Sequence, residues 1–138
     1  MSDRDNEQTI RDAYAAFQRG DVEGVLDKLT DDVEWSLPGP SEIPYTGIRH
    51  GKSGAAEFFR ILSESDEVQV MDPQTYVSSG NIVVVLGRYE ARVKATGRIA
   101  QTDWVHVFTF RDGKVAAWRE YFDTAGYAKA YRAAQPVA

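Results

Sequence analysis

The sequence predicts an α+β fold in one domain, residues 1–138. Three observations support this class. Apolar residues recur with the 3.6-residue period of helices up to Leu62, and with the two-residue alternation of strands after it. Short turns that contain glycine separate the later strands and join neighbours as antiparallel hairpins. No repeat or linker divides the chain, whose length of 138 residues suits one compact domain.

Three amphipathic helices are predicted in the first half of the chain. The first ends at Gly20, and Asp21 caps the second. Ser53 is predicted to cap the third. The apolar faces consist of Ile10, Ala13, Tyr14 and Phe17 in the first helix, Val22, Val25, Leu26 and Leu29 in the second, and Ala55, Phe58, Phe59 and Leu62 in the third.

A short strand and a long loop separate the second and third helices. In the strand, Val33, Trp35 and Leu37 alternate with polar residues, and Pro38 ends it. Residues 38–51, PGPSEIPYTGIRHG, contain three prolines and predict a loop without regular structure. Loops of this length often form a lid or the wall of a pocket.

Four strands joined by hairpins follow the third helix. The first is expected to be interrupted at Pro73, and the next three are IVVVLGRYEARVKA, IAQTDWVHVFTF and KVAAWREYFD. Asp112-Gly113 is a strong signal for a two-residue hairpin turn. Thr124 is expected to cap a short final helix from Ala125 to about Arg132.

The composition excludes several classes of function. The net charge of −5 argues against binding to nucleic acid or to an anionic membrane surface. The absence of cysteine excludes disulfides and thiolate chemistry, and no apolar run reaches the ~20 residues of a membrane span. The polar N-terminus does not resemble a signal peptide, so we expect a cytoplasmic protein. Too few ligands are evident for a metal site, and no cofactor is expected.

Both faces of the last two strands are largely apolar. One face of the penultimate strand carries Trp104, His106 and Phe108, and the other carries Val105 and Val107. A sheet covered on one side only should have a polar outer face. We therefore expect a second copy of the chain to cover the outer face of the sheet and form a homodimer, with the chain's own termini as the alternative cover.

The aromatic face of these strands contains two polar residues, His106 and Glu120. A plain two-residue turn at Asp112-Gly113 would place His106 opposite Arg119, which belongs to the other face. One bulge residue inserted at the turn places Glu120 opposite His106 and keeps the aromatic residues together. We therefore predict that His106 and Glu120 are neighbours across a bulged hairpin.

A carboxylate beside an imidazole in an aromatic pocket is a candidate pair for general acid–base catalysis. The alternative is a buried hydrogen bond that only satisfies two core polar groups. Tyr45 is expected either at the pocket mouth or as an anchor of its loop, and His50 at the surface. The predicted pocket residues are Tyr14, Phe17, Trp35, Leu37, Tyr45, Phe58, Tyr89, Trp104, Phe108, Trp118 and Phe122.

Two segments carry a resemblance to a known superfamily. AYAAFQRGDVEGVLDKLTDDVEW resembles the opening of nuclear transport factor 2-like domains, which include ketosteroid isomerases, SnoaL-like polyketide cyclases and limonene epoxide hydrolases. DWVHVFTFRDGKVAAWREYFDTA is similar to the SnoaL-like ending. The resemblance extends from about residue 7 to 127 and implies a cone-shaped α+β fold, a hydrophobic pocket and a homodimer formed through the outer sheet face.

The resemblance implies different chemistry for different relatives. The catalytic base of ketosteroid isomerases falls at Leu37, so steroid isomerisation by that mechanism is not expected. SnoaL-like cyclases place a His and an Asp on the last two strands, which match His106 and Glu120. Epoxide hydrolases have an Arg-x-Asp, echoed here by Arg88 and Glu90, although alternation favours the outer face for both residues.

Three hypotheses follow for a protein that binds a small hydrophobic molecule. The first is a cofactor-independent isomerase or aldol-type cyclase in which Glu120, assisted by His106, moves a proton next to a carbonyl. The second is an epoxide hydrolase that uses Arg88 with Glu90 or Glu120. The third is a binding module without catalysis, because this fold supports many functions.

Overall fold

The computed structural model describes residues 2–132 of the chain. Helices precede most of the strands. The elements in chain order are α1 (Asp3–Gln18), α2 (Val22–Leu26), β1 (Leu29–Leu37), β2 (Gly47–His50), α3 (Gly51–Ser65), β3 (Asp66–Ser79), β4 (Ile82–Val93), β5 (Ile99–Arg111), β6 (Lys114–Phe122), α4 (Thr124–Ala128) and a 3-10 turn (Lys129–Tyr131). The predicted α+β class is confirmed.

The six strands form one open, curved sheet in the order β2-β1-β6-β5-β4-β3. All neighbouring strands are antiparallel except β1 and β6, which run parallel. Helix α1 packs against β3 and β4, and α3 packs against β1. The core lies between these helices and the inner face of the sheet, where Val83, Val85, Ala91 and Val115 are almost completely buried.

Local sequence signals explain the first two helix starts. The hydroxyl of Ser2 accepts a hydrogen bond from the Asp5 backbone N–H at 3.1 Å, and the Asp5 carboxylate accepts one from the Ser2 backbone N–H at 3.4 Å. This reciprocal pair is a capping box. Asp21 caps α2 as predicted, because its carboxylate accepts a hydrogen bond from the Gly24 backbone N–H at 2.9 Å.

The hairpin between β5 and β6 has the predicted turn and bulge, but the bulge lies away from the turn. Asp112 and Gly113 have φ angles of 51° and 80°, as a type I′ turn requires. The register changes between Thr109 and Phe110, which pair with Ala117 and Val115, so Ala116 of β6 is the extra residue. The register shift that places Glu120 opposite His106 therefore occurs within the strand pair and not at the turn.

Two capping predictions were wrong. Helix α3 begins at Gly51 with His50 at its N-cap position, so Ser53 lies within the helix. Asp123, one residue before Thr124, caps α4 and accepts a hydrogen bond from the Gly126 backbone N–H at 3.1 Å. Asp is among the most favoured N-cap residues, since its carboxylate reaches these free N–H groups readily.

Two strand predictions were also wrong. The loop at 38–51 contains strand β2, which pairs with the end of β1. Strand β3 continues through Pro73, with a register shift just beyond that residue. Because β3 forms an edge of the sheet, the N–H group that proline lacks is not needed there. None of the described helices is long and apolar enough to cross a membrane.

Candidate active site

His106 and Glu120 face each other across β5 and β6 on the inner face of the sheet. The same register pairs Phe108 with Trp118 and Trp104 with Phe122, as the bulged hairpin predicted. Nε2 of His106 lies 2.8 Å from Oε1 of Glu120. The His106 side chain is 4% exposed and the Glu120 side chain 14% exposed, so the hydrogen bond is shielded from most water.

Helix α1 adds a third polar side chain to this pair. The hydroxyl oxygen of Tyr14 lies 2.7 Å from Nδ1 of His106. Burial raises the pKa of Tyr14 well above its usual value, so the phenol stays protonated and can donate a hydrogen bond to Nδ1. With Nδ1 as the acceptor, Nε2 carries the imidazole proton and donates a hydrogen bond to the Glu120 carboxylate. The three residues form one hydrogen-bonded chain that ends at the Glu120 carboxylate.

Tyr14 was predicted in the pocket wall, but its bond to His106 was not predicted. The signal was nevertheless present, since Tyr14 belongs to the apolar stripe of α1 and a buried tyrosine hydroxyl requires a partner. The inner face of the last two strands carries Thr102, His106 and Glu120, of which His106 and Glu120 border the cavity. The missing information was how far along the sheet α1 would dock.

Aromatic rings surround the imidazole. The Trp104 ring stacks on His106 with centroids 3.8 Å apart and planes at 15°. Trp118 and Phe108 meet the imidazole edge-on at 5.0 Å and 6.0 Å. The Trp104 indole can pack directly against the sheet because its neighbour on β4 is Gly87. A methyl group at position 87 would overlap the indole ring. The rings therefore fix the orientation of His106 by packing.

The three residues border a cavity of about 80 Å³ between the sheet and the helices, which leaves room for several water molecules or a small planar group. Among the described residues, its walls are Ala13, Tyr14, Phe17, Val25, Trp35, Tyr45, Phe58, Phe59, Leu62, Met71, Tyr89, Trp104, His106, Phe108, Trp118, Glu120 and Tyr127. The cavity shares Phe17, Phe59, Leu62 and Met71 with a larger groove of about 560 Å³ beside α1 and β3.

Two predicted pocket residues do not line the cavity. Leu37 is fully buried, but it lies two residues beyond Trp35 at the end of β1, which moves it about 7 Å along the strand. Phe122 packs edge-on against the Tyr127 ring at 5.2 Å, so Tyr127 of α4 stands at the cavity in its place. Tyr127 was not predicted in the cavity wall, because its position depends on how α4 docks on the sheet.

A second polar group lies beside the cavity, around the buried carboxylate of Asp66. Its oxygens accept hydrogen bonds from the hydroxyls of Tyr89 at 2.8 Å, Tyr45 at 2.9 Å, Tyr131 at 2.7 Å and Tyr127 at 3.4 Å. We call these five residues the Asp66 cluster. Burial raises the pKa of Asp66, and the four hydroxyl donors oppose this effect only in part.

The Asp66 cluster explains the position of Tyr45. Its hydroxyl oxygen lies 2.6 Å from that of Tyr131 and also lies close to that of Tyr127. Tyr45 therefore anchors the loop between β1 and β2, while its ring forms part of the cavity wall. The cluster joins residues from several separate segments, so no local pattern in the sequence predicted it.

Arg88 and Glu90 lie on the outer face of β4 and do not line the cavity. Nη2 of Arg88 is 3.0 Å from Oε1 of Glu90, and its Nη1 is 3.4 Å from Oδ1 of Asp103. His50 is exposed at the start of α3, also away from the cavity. A hydrolase site built on Arg88 and Glu90 is therefore incompatible with this arrangement. Within residues 2–132 no three His, Asp or Glu side chains are grouped to hold a metal ion.

Comparison with known proteins agrees with this architecture. The model of the SnoaL-like domain matches residues 10–118. The chain belongs to the SnoaL-like family. No curated protein matches the chain. Similar solved structures include a nuclear transport factor 2-like protein from Burkholderia xenovorans LB400, which is 37% identical, with a TM-score of 0.87 and coverage of 96% of this chain and 99% of the other.

Two further solved structures are similar to this SnoaL-like protein. A nuclear transport factor 2-like protein of unknown function from Burkholderia pseudomallei K96243 is 35% identical, with a TM-score of 0.86 and coverage of 96% and 100% of the two chains. TerC, co-crystallized with polyporic acid, is 30% identical, with a TM-score of 0.80 and coverage of 92% of this chain and 98% of TerC.

Proposed function

We propose that this SnoaL-like protein is a cofactor-independent enzyme that moves a proton on a hydrophobic carbonyl compound, as an isomerase or an aldol-type cyclase. The observation that carries the proposal is the chain from Tyr14 through His106 to Glu120, which ends at an aromatic cavity. Glu120 is the base, and His106 and Tyr14 are its positioning residues. General acid–base catalysis of this kind needs no metal or cofactor.

The proposed reaction begins at the free oxygen of Glu120. Because Oε1 accepts a hydrogen bond from His106 Nε2, Oε2 is left to take a proton from the carbon next to the substrate carbonyl. The electron pair of the broken C–H bond forms an enolate. In an isomerase, Glu120 returns the proton to another carbon. In a cyclase, the enolate carbon attacks a second carbonyl of the same molecule, and the resulting alkoxide takes the proton from Glu120.

The likeness to TerC supports an aromatic, oxygen-bearing ligand. TerC was co-crystallized with polyporic acid, and it is 30% identical to this chain over nearly its whole length. The cavity here has the matching character, because Trp35, Phe58, Phe108 and Trp118 supply ring faces and edges around the candidate base.

The experiment that tests the proposal measures proton exchange in a simple hydrophobic ketone. We expect the protein to accelerate the exchange of the α-protons of 2-tetralone with D₂O, followed by proton NMR. Glu120→Gln should lower the catalysed rate about 10²-fold or more. Glu90→Gln is the matched control, since it alters the same residue type on the outer face. An exchange rate unaffected by Glu120→Gln would instead favour a binding module without catalysis.

We also propose that two copies of the chain associate through the outer sheet face. Leu86 and Tyr121 are 42% and 50% exposed there, Val105 of β5 lies between them, and Val107 is the next residue of β5 on the same face. An apolar sheet face of this extent favours a covering partner. The face also carries charges of both signs, among them the ion pair of Arg88. Such a surface can match a second copy of itself across a two-fold axis.

A further inference from the structure

The C-terminal segment, residues 124–131, supplies Tyr127 to the wall of the cavity. We propose that this segment is a lid, which is latched by the Asp66 cluster and opens to admit a ligand. This inference goes beyond the proposed function, because a ligand must reach the cavity whether or not Glu120 moves a proton.

The inner part of the cavity is closed to solvent. Trp35, Trp104 and His106 line it and are 4%, 2% and 3% exposed. A ligand therefore reaches them only after part of the wall moves. Two parts of the wall adjoin open space at the surface, which are the C-terminal segment and the side chains toward the groove beside α1 and β3.

Hydrogen bonds hold the C-terminal segment in place. The hydroxyls of Tyr131 and Tyr127 donate to Asp66 at 2.7 Å and 3.4 Å, and Oγ1 of Thr96 donates to the backbone carbonyl oxygen of Ala130 at 2.6 Å. The fully buried apolar side chains of the segment are one tyrosine ring and two alanines. Because water can replace such hydrogen bonds at little net cost, a segment held in this way separates more readily than a large apolar contact does.

The donors to Asp66 come from the body of the domain as well as from the segment. Tyr45 and Tyr89 donate to the carboxylate at 2.9 Å and 2.8 Å. These two bonds remain when the segment leaves, so opening does not strand a buried carboxylate without partners. This arrangement accounts for Tyr89, whose strand β4 is paired on both sides and needs no further anchor. The cluster can therefore open and close reversibly, as a latch must.

Two surface pockets lie beside the segment. One of about 260 Å³ is bordered by Thr124, where the segment begins, and by Glu120, which also borders the cavity. The other, of about 380 Å³, lies between residues 98–101 and the segment. Asp123, between β6 and α4, is the hinge position, since hinges are found at the ends of elements. Outward movement of the segment would join the first pocket to the cavity beside Glu120.

The groove beside α1 and β3 is the competing entrance. Phe17, Phe59, Leu62 and Met71 separate it from the cavity. The rings of Phe17 and Phe59 lie 6.0 Å apart, and Nε2 of Gln18 donates to the Met71 carbonyl oxygen at 2.9 Å. Four packed apolar side chains from three elements must move together there, whereas the lid turns about one hinge position.

The test measures how fast two buried indole N–H groups exchange with D₂O. Trp35 and Trp104 line the cavity with buried indole nitrogens, so their N–H signals in NMR spectra persist until water enters. Tyr131→Phe, which removes one hydroxyl of the latch, should accelerate this exchange about three- to ten-fold. Tyr121→Phe is the matched control, since it removes an exposed hydroxyl on the outer face, and should leave both rates unchanged.

A reversible disulfide tests the lid in the opposite direction. The chain contains no cysteine, and Thr96 contacts Ala130 of the segment. In the double variant Thr96→Cys/Ala130→Cys, indole exchange should be about three-fold or more slower in the oxidised than in the reduced form. Wild-type protein in the same oxidant and reductant should show no difference.

Several results would overturn the proposal. One is indole exchange that Tyr131→Phe leaves unchanged, or that is equal in the oxidised and reduced double variant. Acceleration by Gln18→Ala but not by Tyr131→Phe would place the entrance at the groove. Equal acceleration of the core amides of Val83 and Val85 would show global unfolding instead of a lid. If circular dichroism shows that Tyr131→Phe is unfolded, the disulfide comparison decides. Because no substrate is used, these outcomes are independent of catalysis by Glu120.

Discussion

The hydroxyl of Tyr14 bonds to Nδ1 of His106 at 2.7 Å, across 92 positions of sequence. This bond directs the other nitrogen of the imidazole at Glu120, and the stacked Trp104 ring keeps the imidazole in that plane. Side chains of α1, β5 and β6 therefore fix the orientation of the Glu120 carboxylate. If Glu120 is the base, as proposed, a carboxylate held by packing and hydrogen bonds in this way needs little rearrangement during reaction.

Tyr14→Phe should separate positioning from binding. We expect the catalysed exchange of 2-tetralone to fall about ten-fold or more through kcat with KM little changed, because His106 loses the donor that orients it. Stability should fall by about 1–3 kcal/mol in urea denaturation, since Nδ1 is left buried without a partner. Tyr76→Phe is the matched control, because the Tyr76 ring packs edge-on against Tyr14. Equal rates in the two variants would contradict the positioning role.

Gly87→Ala should disturb the His106 imidazole through the stacked Trp104 ring. The new methyl group would overlap the Trp104 ring and lie 2.6 Å from the Asp72 carbonyl oxygen, so the indole must leave its stack on His106. We expect a loss of about 1–3 kcal/mol in the free energy of unfolding and a changed near-ultraviolet circular dichroism spectrum. An unchanged spectrum together with wild-type stability would show that the stack does not depend on this glycine.

Asp66 should make stability depend on pH in a specific direction. Its pKa in the folded protein is raised above the ordinary 3.8, mainly by burial, so the native state binds the proton more readily than the unfolded chain. The contribution of Asp66 is then complete below pH 3.8 and is lost as the pH rises through the folded pKa.

Asp66→Asn removes this dependence. The difference in unfolding free energy, wild type minus Asp66→Asn, should therefore grow as the pH falls from 7 toward 4 in a series of urea denaturations. Asp103→Asn on the exposed outer face is the control, and its difference from wild type should change much less. A wild-type advantage that shrinks as the pH falls would contradict the assignment.

Leu86→Arg should disrupt the proposed homodimer. An arginine in the middle of the outer sheet face would bury a charge of each copy against apolar side chains of the proposed interface. Sedimentation should give a dimer for wild type and a monomer for Leu86→Arg. Val68→Arg is the matched control, because Val68 has a similar exposure of 40% but borders the groove beside α1. A monomeric wild type would contradict the dimer.

Much of the fold follows from periodicity and turn chemistry. The alternation along β5 and β6 places His106 and Glu120 on the same face, and the Asp112-Gly113 turn specifies an antiparallel hairpin. The need for a bulge also follows, because the plain register would mix the two faces. The location of the bulge at Ala116 does not follow from the sequence, since a bulge can form at any point along the strand pair where the sheet bends.

The predictions of strands and of the cavity wall were wrong where tertiary contacts override local preference. Pro73 lies within β3 because that strand forms an edge, and strand β2 exists because the end of β1 offers free backbone groups. Phe122 was expected in the cavity wall, but α4 folds back and places Tyr127 there. None of these outcomes is specified by the neighbouring residues in the sequence.

The sequence by itself determined the α+β class, the hairpin order and the pairing of His106 with Glu120, since each depends on periods and turns within neighbouring segments. The tertiary structure alone decided that Tyr14 completes this pair and that four tyrosines converge on Asp66. These contacts join side chains as far apart as 92 positions, and they exist only once α1 and the C-terminal segment have docked on the sheet. A hydroxyl must find a partner when buried, but only the packed molecule determines which one.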